Sequence, residues 1–335
     1  MARAIGIIGA GGWGTALSKL LCERGLDVTL WCHGEKSYQE IREKRENCLY
    51  LPGISLPVSL NVTRSIQEAS SAKELLICAV PSHLVREVMK RAVSSVSPET
   101  ILVCGTKGIE EQSLLTMGEV LSEIFGESKK ERLAFLSGPT FATEVAQGLP
   151  TAVTVATFTE GMGKKVQETL STQNFRVYTS KDVVGVQMGG VVKNVIAIAA
   201  GISDGLALGQ NSRAALITRG LAEMTRLVVK MGGDLLTLSG LPGLGDLILT
   251  CTGELSRNRK VGIQIARGKK LKEILSEMRM VAEGVRNARS VYLLAQRLAV
   301  EMPIVEQMDL VLYQDKKPLE AVRDLLQRSL KAEIS

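Results

Sequence analysis

Lys193 and Asn194 stand side by side within residues 183–202, a run otherwise apolar on every helical face except at Gln187. A lysine buried in such a helix must be neutral, paired with an anion, or held by a ligand. Helical side chains lean over the preceding turn, so Lys193 extends across Gly189 and Gly190, where no side chain blocks an approaching molecule. Two readings are open at this point. Either an ammonium is offered into a cleared space, or the glycine pair serves close helix packing while the lysine snorkels to solvent. Asn194 and Gln187, seven apart, share a neighbouring stripe of the same helix.

Asp246 lies in an apolar, glycine-rich segment, residues 235–251, and a carboxylate there needs a partner. Lys193 is the natural candidate. Next comes Ser256-Arg257-Asn258-Arg259-Lys260, a compact group of phosphate donors at an expected helix start. It is too short, and too poor in aromatic neighbours, for a nucleic-acid surface. It is the right size to clamp one phosphate group. A clamp of that size suits a small phosphorylated molecule.

The amino-terminal end carries a second constellation. An apolar strand at residues 4–8 runs into Gly9-Ala-Gly11-Gly12-Trp13-Gly14, then a helical stretch, then a strand at 28–31. Strand, GxGxxG, helix, strand at this spacing is a dinucleotide-binding unit. Gly9 permits the tight turn, Gly11 the approach of a pyrophosphate, and Gly14 close helix packing. An NAD-preferring site puts a carboxylate at the end of the second strand. Here that end reads Trp31-Cys32-His33-Gly34, with no carboxylate until Glu35. A 2′-phosphate is not repelled, so NADP(H) is favoured and NAD(H) is expected as well.

Further apolar strands are expected at 75–80, 101–103, 133–136, 151–156 and 175–178, with helical segments at 37–46 and between the later strands. Tyr50-Leu-Pro-Gly53 reads as a turn. This alternation is the signature of an α/β fold with a doubly wound, mostly parallel Rossmann sheet. Ligands bind beyond the carboxyl ends of such strands. Three segments stand there: Pro81-Ser82-His83, Gly105-Thr106-Lys107-Gly108, and Ser137-Gly138-Pro-Thr140-Phe-Ala142. Lys107 either answers a phosphate or substrate oxygen or is an ordinary solvated loop lysine. His83 either acts as a general acid or caps the next helix or stacks near the nicotinamide. After Ser180 the pattern is helical throughout, so the domains are expected at 1–180 and 181–335.

Composition narrows the function class. The chain has 335 residues and a net charge of +6, with 41 basic residues scattered among 35 acidic ones. That points to phosphorylated small molecules before nucleic acid. Six cysteines show no CxxC or Cys/His cluster and only two histidines exist, so no metal site is expected. Thiols within apolar runs suit a reducing cytoplasm. Arg3 and the apolar run after it imitate a signal peptide, but that run is dense in glycine and flows into an amphipathic helix, so export is not expected. Residues 183–202 approach the length of a membrane span, yet a lysine beside an asparagine at the midpoint is costly in lipid, so a buried core helix is expected.

The strings GAGGWGTAL, YLPG, AVPSH, GTKGIE, SGPTFATEVAQGLPTA, VVKNVIAIAAGISDGL, LPGLGDLILTCTGELSRNR and AEGV run from residue 8 to residue 285. Together, in this order, they resemble the NAD(P)-dependent glycerol-3-phosphate dehydrogenases, the bacterial biosynthetic branch most closely. The resemblance implies a Rossmann domain followed by an all-helical substrate domain. It implies a cleft that reversibly reduces dihydroxyacetone phosphate to sn-glycerol 3-phosphate, supplying glycerophospholipid synthesis, and a homodimer with no integral membrane association. By similarity Lys193 is the acid/base, assisted by Asp246 and Thr250, and Lys107 touches both cofactor and substrate. Gly138, Thr140, Ser256, Arg257 and Asn258 complete the substrate pocket. Trp13, His33, Ala142, Val281 and Glu283 line the cofactor, with Arg257 within reach. The glycine loop departs from the family at Gly12, where serine or asparagine is usual. Two other readings are a two-domain hydroxyacid dehydrogenase, which needs a carboxylate pocket, and a non-catalytic NADP(H) sensor, which needs no Lys193 beside Asp246.

Overall fold

The computed structural model describes residues 3–278, 280–330 and 332–333. Its strands are β1 (Ala4–Ile8), β2 (Asp27–Trp31), β3 (Glu46–Asn47), β4 (Leu51–Ser55), β5 (Asn61–Thr63), β6 (Leu75–Cys78), β7 (Ile101–Cys104), β8 (Leu133–Ser137), β9 (Thr151–Thr157) and β10 (Phe175–Ser180). Eight of them form one sheet in the order β10-β9-β8-β7-β6-β1-β2-β5. Its neighbours run parallel except β8 and β9. The apolar runs are continuous because helices cover both faces and both faces must be buried.

Register decides where the loops go. Ile8 pairs with Trp31 and with Cys78, and Cys78 pairs with Cys104. The carboxyl ends of β1, β2, β6 and β7 are therefore level, and the loops that follow them share one crevice.

Two local expectations are corrected. Residues 50–53 are not a simple turn, because Leu51–Ser55 is a strand paired antiparallel with Glu46–Asn47. A register shift between Glu46 and Asn47, together with Gly53 at φ +77°, supplies the bend, and a proline is tolerated in a two-stranded ribbon that leaves an edge free. The helix expected at 37–46 instead spans Glu35–Lys44 and stops at Arg45, which takes a left-handed conformation. Strand β5 had no signal, since three residues carry too little periodicity to read.

After β10 the chain turns helical. The central helix Val183–Gly205 starts where the Asp182 side chain accepts from Gly185 N at 2.8 Å. It is long and apolar enough to cross a membrane, but 89% of its most apolar window is buried within the protein. Helices Gly209–Lys230, Asp246–Thr252, Arg257–Ala266 and Glu283–Arg297 surround it. The crossing with Arg257–Ala266 requires glycine on both sides. A Cβ on Gly201 would lie 2.0 Å from Arg259 O, and one on Gly262 2.0 Å from Ile198 O. The amino half of the same helix reaches back to the sheet, where Gly190 faces Ser137 at the end of β8. One buried helix thus carries Lys193 from the helical lobe to the edge of the Rossmann crevice.

Candidate active site

Lys193 is 7% exposed and Asp246 is fully buried. Lys193 Nζ donates to Asp246 Oδ1 at 2.7 Å and to Thr250 Oγ1 at 2.8 Å. The local sequence explains how Asp246 arrives there. Leu241–Gly245 makes a wide π-type turn, after which Asp246–Thr252 is helical and puts Asp246 and Thr250 on one face. Thr250 donates its hydroxyl proton to Asp246 O at 2.6 Å, which leaves its lone pairs for the ammonium.

From the other lobe, Lys107 Nζ donates to Asp246 Oδ2 at 2.7 Å and to Gly138 O at 3.1 Å. One carboxylate therefore bridges two lysines, one from each lobe. The glycine pair belongs to this bridge. A Cβ on Gly190 would lie 3.2 Å from the Lys107 stem, and one on Gly189 2.4 Å from Pro242 O. The two glycines admit the Lys107 side chain and the turn leading to Asp246, so the space is filled by protein, and Lys193 does not snorkel. Burial pushes the Lys193 ammonium down to about 8; Asp246 opposes the fall and Lys107 adds to it.

The phosphate-donor cluster divides on folding. Ser256 caps the helix Arg257–Ala266, accepting from Arg259 N at 3.2 Å. Arg259 turns away to Asp204 at 2.6 Å, a carboxylate that Arg213 also holds, and is a strut. Asn258 is buried, donating to Asn194 Oδ1 at 2.8 Å and accepting from Gly284 N at 3.0 Å. Because Asn194 is the chain neighbour of Lys193, this pair ties the clamp to the lysine. Arg257 stays exposed and donates to Val281 O at 2.9 Å, which gathers Arg257, Val281 and Glu283 at one place. Gln187 plays no part in it. Its carbonyl accepts from Gly118 N at 2.9 Å, fastening the central helix to the Rossmann lobe.

The glycine loop fits a dinucleotide. Gly9 takes φ +117°, and a Cβ on Gly14 would sit 1.9 Å from Gly9 O. A Cβ on Gly11 would meet nothing within 4 Å, and the helix Gly12–Glu23 begins there without a side-chain cap. That leaves a cleared helix N-terminus of the kind that receives pyrophosphate. Gly12 faces Tyr50 O, 2.9 Å from where its Cβ would be, and Ala142 at 3.6 Å, so a larger residue would displace the Tyr50 backbone. Trp13 Nε1 lies 2.9 Å from the Cβ position of Gly105, over the end of β7. Gly138 takes φ +144°, and Thr140 Oγ1 donates back to its carbonyl at 3.2 Å. His33 stands apart from the lysines, three strand positions along the sheet, with its ring edge-on to Trp31 at 5.8 Å.

Several residues of this site were not singled out by the sequence. Ser82 N and Oγ donate to the Glu283 carboxylate at 2.9 and 2.6 Å, closing the crevice between the lobes. Burial raises the Glu283 carboxyl above its ordinary value despite those bonds. The neighbouring His83 is exposed, and it is Ser82 that spans the lobes. Asn47, fully buried, donates to Ala10 O at 2.9 Å and Thr15 Oγ1 at 2.8 Å, bracing the glycine loop. Asn287 donates to Lys107 O and Val191 O, each at 3.4 Å, so it anchors the Lys107 loop to the central helix. Only Ser82, a hydroxyl just after a proline at a strand end, carried a usable signal.

Residues 4–162 match the family model described as NAD-dependent glycerol-3-phosphate dehydrogenase N-terminus, and residues 182–323 match its C-terminus counterpart. A protein of Citrifermentans bemidjiense named glycerol-3-phosphate dehydrogenase (NAD(P)+) is 55% identical over 333 residues, covering 99% of each chain. One of the same name from Syntrophotalea carbinolica is 52% identical over 330 residues, covering 98% of this chain and 99% of that one. The crystal structure of glycerol-3-phosphate dehydrogenase from Coxiella burnetii superposes with a TM-score of 0.93 at 41% identity, covering 98% of this chain and 99% of that one.

Proposed function

The chain belongs to the NAD-dependent glycerol-3-phosphate dehydrogenase family, and from that premise we propose how its residues divide the work. It is an oxidoreductase that reduces dihydroxyacetone phosphate to sn-glycerol 3-phosphate with NAD(P)H, a step of lipid metabolism. The observation that carries the assignment of roles is the Asp246 carboxylate shared by Lys193 and Lys107 across the two lobes.

When bound, the nicotinamide supplies the hydride that reaches the carbonyl carbon. Lys193 Nζ holds the proton that the carbonyl oxygen takes as it becomes an alkoxide. An ammonium has three N–H groups. Two are engaged by Asp246 and Thr250, and the third has no partner among the described residues, so it serves the substrate oxygen. Asp246 and Thr250 fix the orientation of Nζ, and Lys107 adds a second positive charge where oxygen gains negative charge. A lysine held near 8 gives up its proton readily around neutral pH.

Ser256, Arg257 and Asn258 hold the substrate phosphate, with Gly138 and Thr140 closing the pocket from the Rossmann side. Gly9, Gly11, Gly12 and Gly14 receive the pyrophosphate. Trp13, His33, Lys107, Ala142, Arg257, Val281 and Glu283 line the rest of the cofactor. We divide the lobes at 180/181, where β10 ends and the central helix is about to start. The enzyme works as a cytoplasmic homodimer in this reading. Its described cysteines are all free, which suits a reducing compartment, and the dimer rests on the family resemblance.

The test is absorbance at the reduced-nicotinamide band as purified protein meets dihydroxyacetone phosphate with NADPH or NADH. Oxidation that requires the phosphorylated ketone is expected. Oxidation driven by 2-oxo acids instead would select the hydroxyacid dehydrogenase, and tight cofactor binding with no turnover on any substrate would select the sensor.

A further inference from the structure

The carboxyl end of β2 carries charges that the glycine loop does not use. Trp31 ends that strand almost fully buried, and its Nε1 donates to Arg64 O at 3.0 Å. Trp31 pairs with Thr63, and Cys32 N donates to Thr63 O, so Arg64 stands one residue beyond β5, beside the Cys32-His33-Gly34 loop. The Arg64 guanidinium pairs with Glu35, the first carboxylate after β2, on the opening turn of the helix Glu35–Lys44. Arg91 lies over the Trp31 ring at 5.5 Å, adding a further cation to this end of the crevice.

We propose that Arg64 is the specificity-determining residue for NADP(H): it receives the 2′-phosphate of the adenosine ribose, and Glu35 is the internal anion it exchanges for that phosphate. The proposal rests on the family reading above, and it names a group beyond His33. Its backbone is fixed by the Trp31 bond, so the arm swings from an anchored base. The Glu35–Arg64 pair is half exposed on both sides, and an exposed carboxylate pair is a weak competitor. A phosphate offers the guanidinium more charge and a bidentate fit. With NAD(H) the pair stays closed and nothing repels the ribose hydroxyls, which accounts for use of both cofactors.

Calorimetric titration of the full chain with adenosine 2′,5′-bisphosphate and adenosine 5′-monophosphate tests this without turnover. The wild type is expected to favour the bisphosphate. Arg64→Gln should weaken the bisphosphate by about tenfold or more, the size of one lost charge-assisted contact, with the monophosphate shifting far less. Glu35→Gln should tighten the bisphosphate by removing its competitor. The NADPH to NADH ratio in kcat/KM should move in the same directions. Equal loss of both fragments in Arg64→Gln, or no loss of either, overturns the proposal, as does a wild type that does not distinguish them. Matched thermal midpoints exclude misfolding, since Arg64 is exposed. Failure of the wild type to reduce dihydroxyacetone phosphate would sink the functional reading instead, and fragment binding would still decide Arg64.

Discussion

Two clusters, one around Asp246 and one around Glu35, place a carboxylate against basic side chains under opposite conditions. Asp246 is fully buried, both its oxygens are engaged at 2.7 Å, and the side chains of Lys193 and Lys107 are 8% and 18% exposed. Glu35 and Arg64 are 51% and 50% exposed. In the first cluster the cost of desolvating three charges is offset only while every partner is present. In the second, water already solvates both ions, so losing the partner changes little. The buried cluster can hold one geometry for chemistry, and the exposed one is free to change partners.

The largest effect expected from this contrast follows removal of the central anion. Asp246→Asn leaves two ammoniums facing each other with no counter-charge, and should cost about 3–5 kcal/mol of stability together with most of the activity. Urea unfolding and kcat measure the two losses. An unchanged unfolding midpoint would mean that water or the neighbouring loop already screens the lysines, and the contrast between the clusters would collapse.

Lys193→Ala should be gentler on the fold, since Asp246 keeps Lys107 and Gly189, Gly190 and Pro242 still pack. It should lower kcat by roughly 10²–10⁴ while sparing cofactor affinity. In the wild type the pH dependence follows from the value near 8. The protonated form is needed for reduction of the ketone, so kcat in that direction should fall as pH rises through about 8, and glycerol phosphate oxidation should rise. Stability moves the other way from the reductive rate. Between about 8 and the ordinary 10.5 the unfolded chain binds more protons at this lysine, so the folded state gains as pH rises through that window. A flat kcat profile in both directions would remove Lys193 from proton transfer.

Arg257 is exposed and tied to Val281 O. Arg257→Ala should raise the KM for dihydroxyacetone phosphate by the equivalent of about 1.5–3 kcal/mol with little change in kcat, the signature of a contact made equally in ground and transition states. An unchanged KM would count against the clamp.

The buried cluster was legible in the sequence because it breaks a rule. A lysine in an all-apolar helix and an aspartate in an apolar loop each demand a partner, and pairing them needs no coordinates. The Rossmann strands were legible for the same kind of reason, since 5-residue runs such as Ala4–Ile8 are apolar throughout. What the glycine pair does was not. Gly189 and Gly190 read equally well as open space or packing, and only the position of Pro242 and the Lys107 stem decides. Asn47 and Asn287 were invisible because a single buried amide has no periodicity and no motif. Arg64 was invisible because β5 is too short to announce itself, and its significance depends on strand register rather than on sequence distance from β2.

The smallest expected effect is therefore the most discriminating. Glu35→Gln removes a charge from an ion pair in plain contact, as Asp246→Asn does, yet it should shift stability by no more than about 0.5 kcal/mol. Raising the salt to about 1 M should erase even that difference, because the screening length then falls to roughly 3 Å. Salt should leave the Asp246→Asn deficit nearly intact, since little solvent reaches the lysines. If Glu35→Gln proves as costly as Asp246→Asn, then exposure is not what separates the two clusters. The Arg64 arm would then be a fixed strut of the β2–β5 edge, unable to release Glu35 for an incoming phosphate.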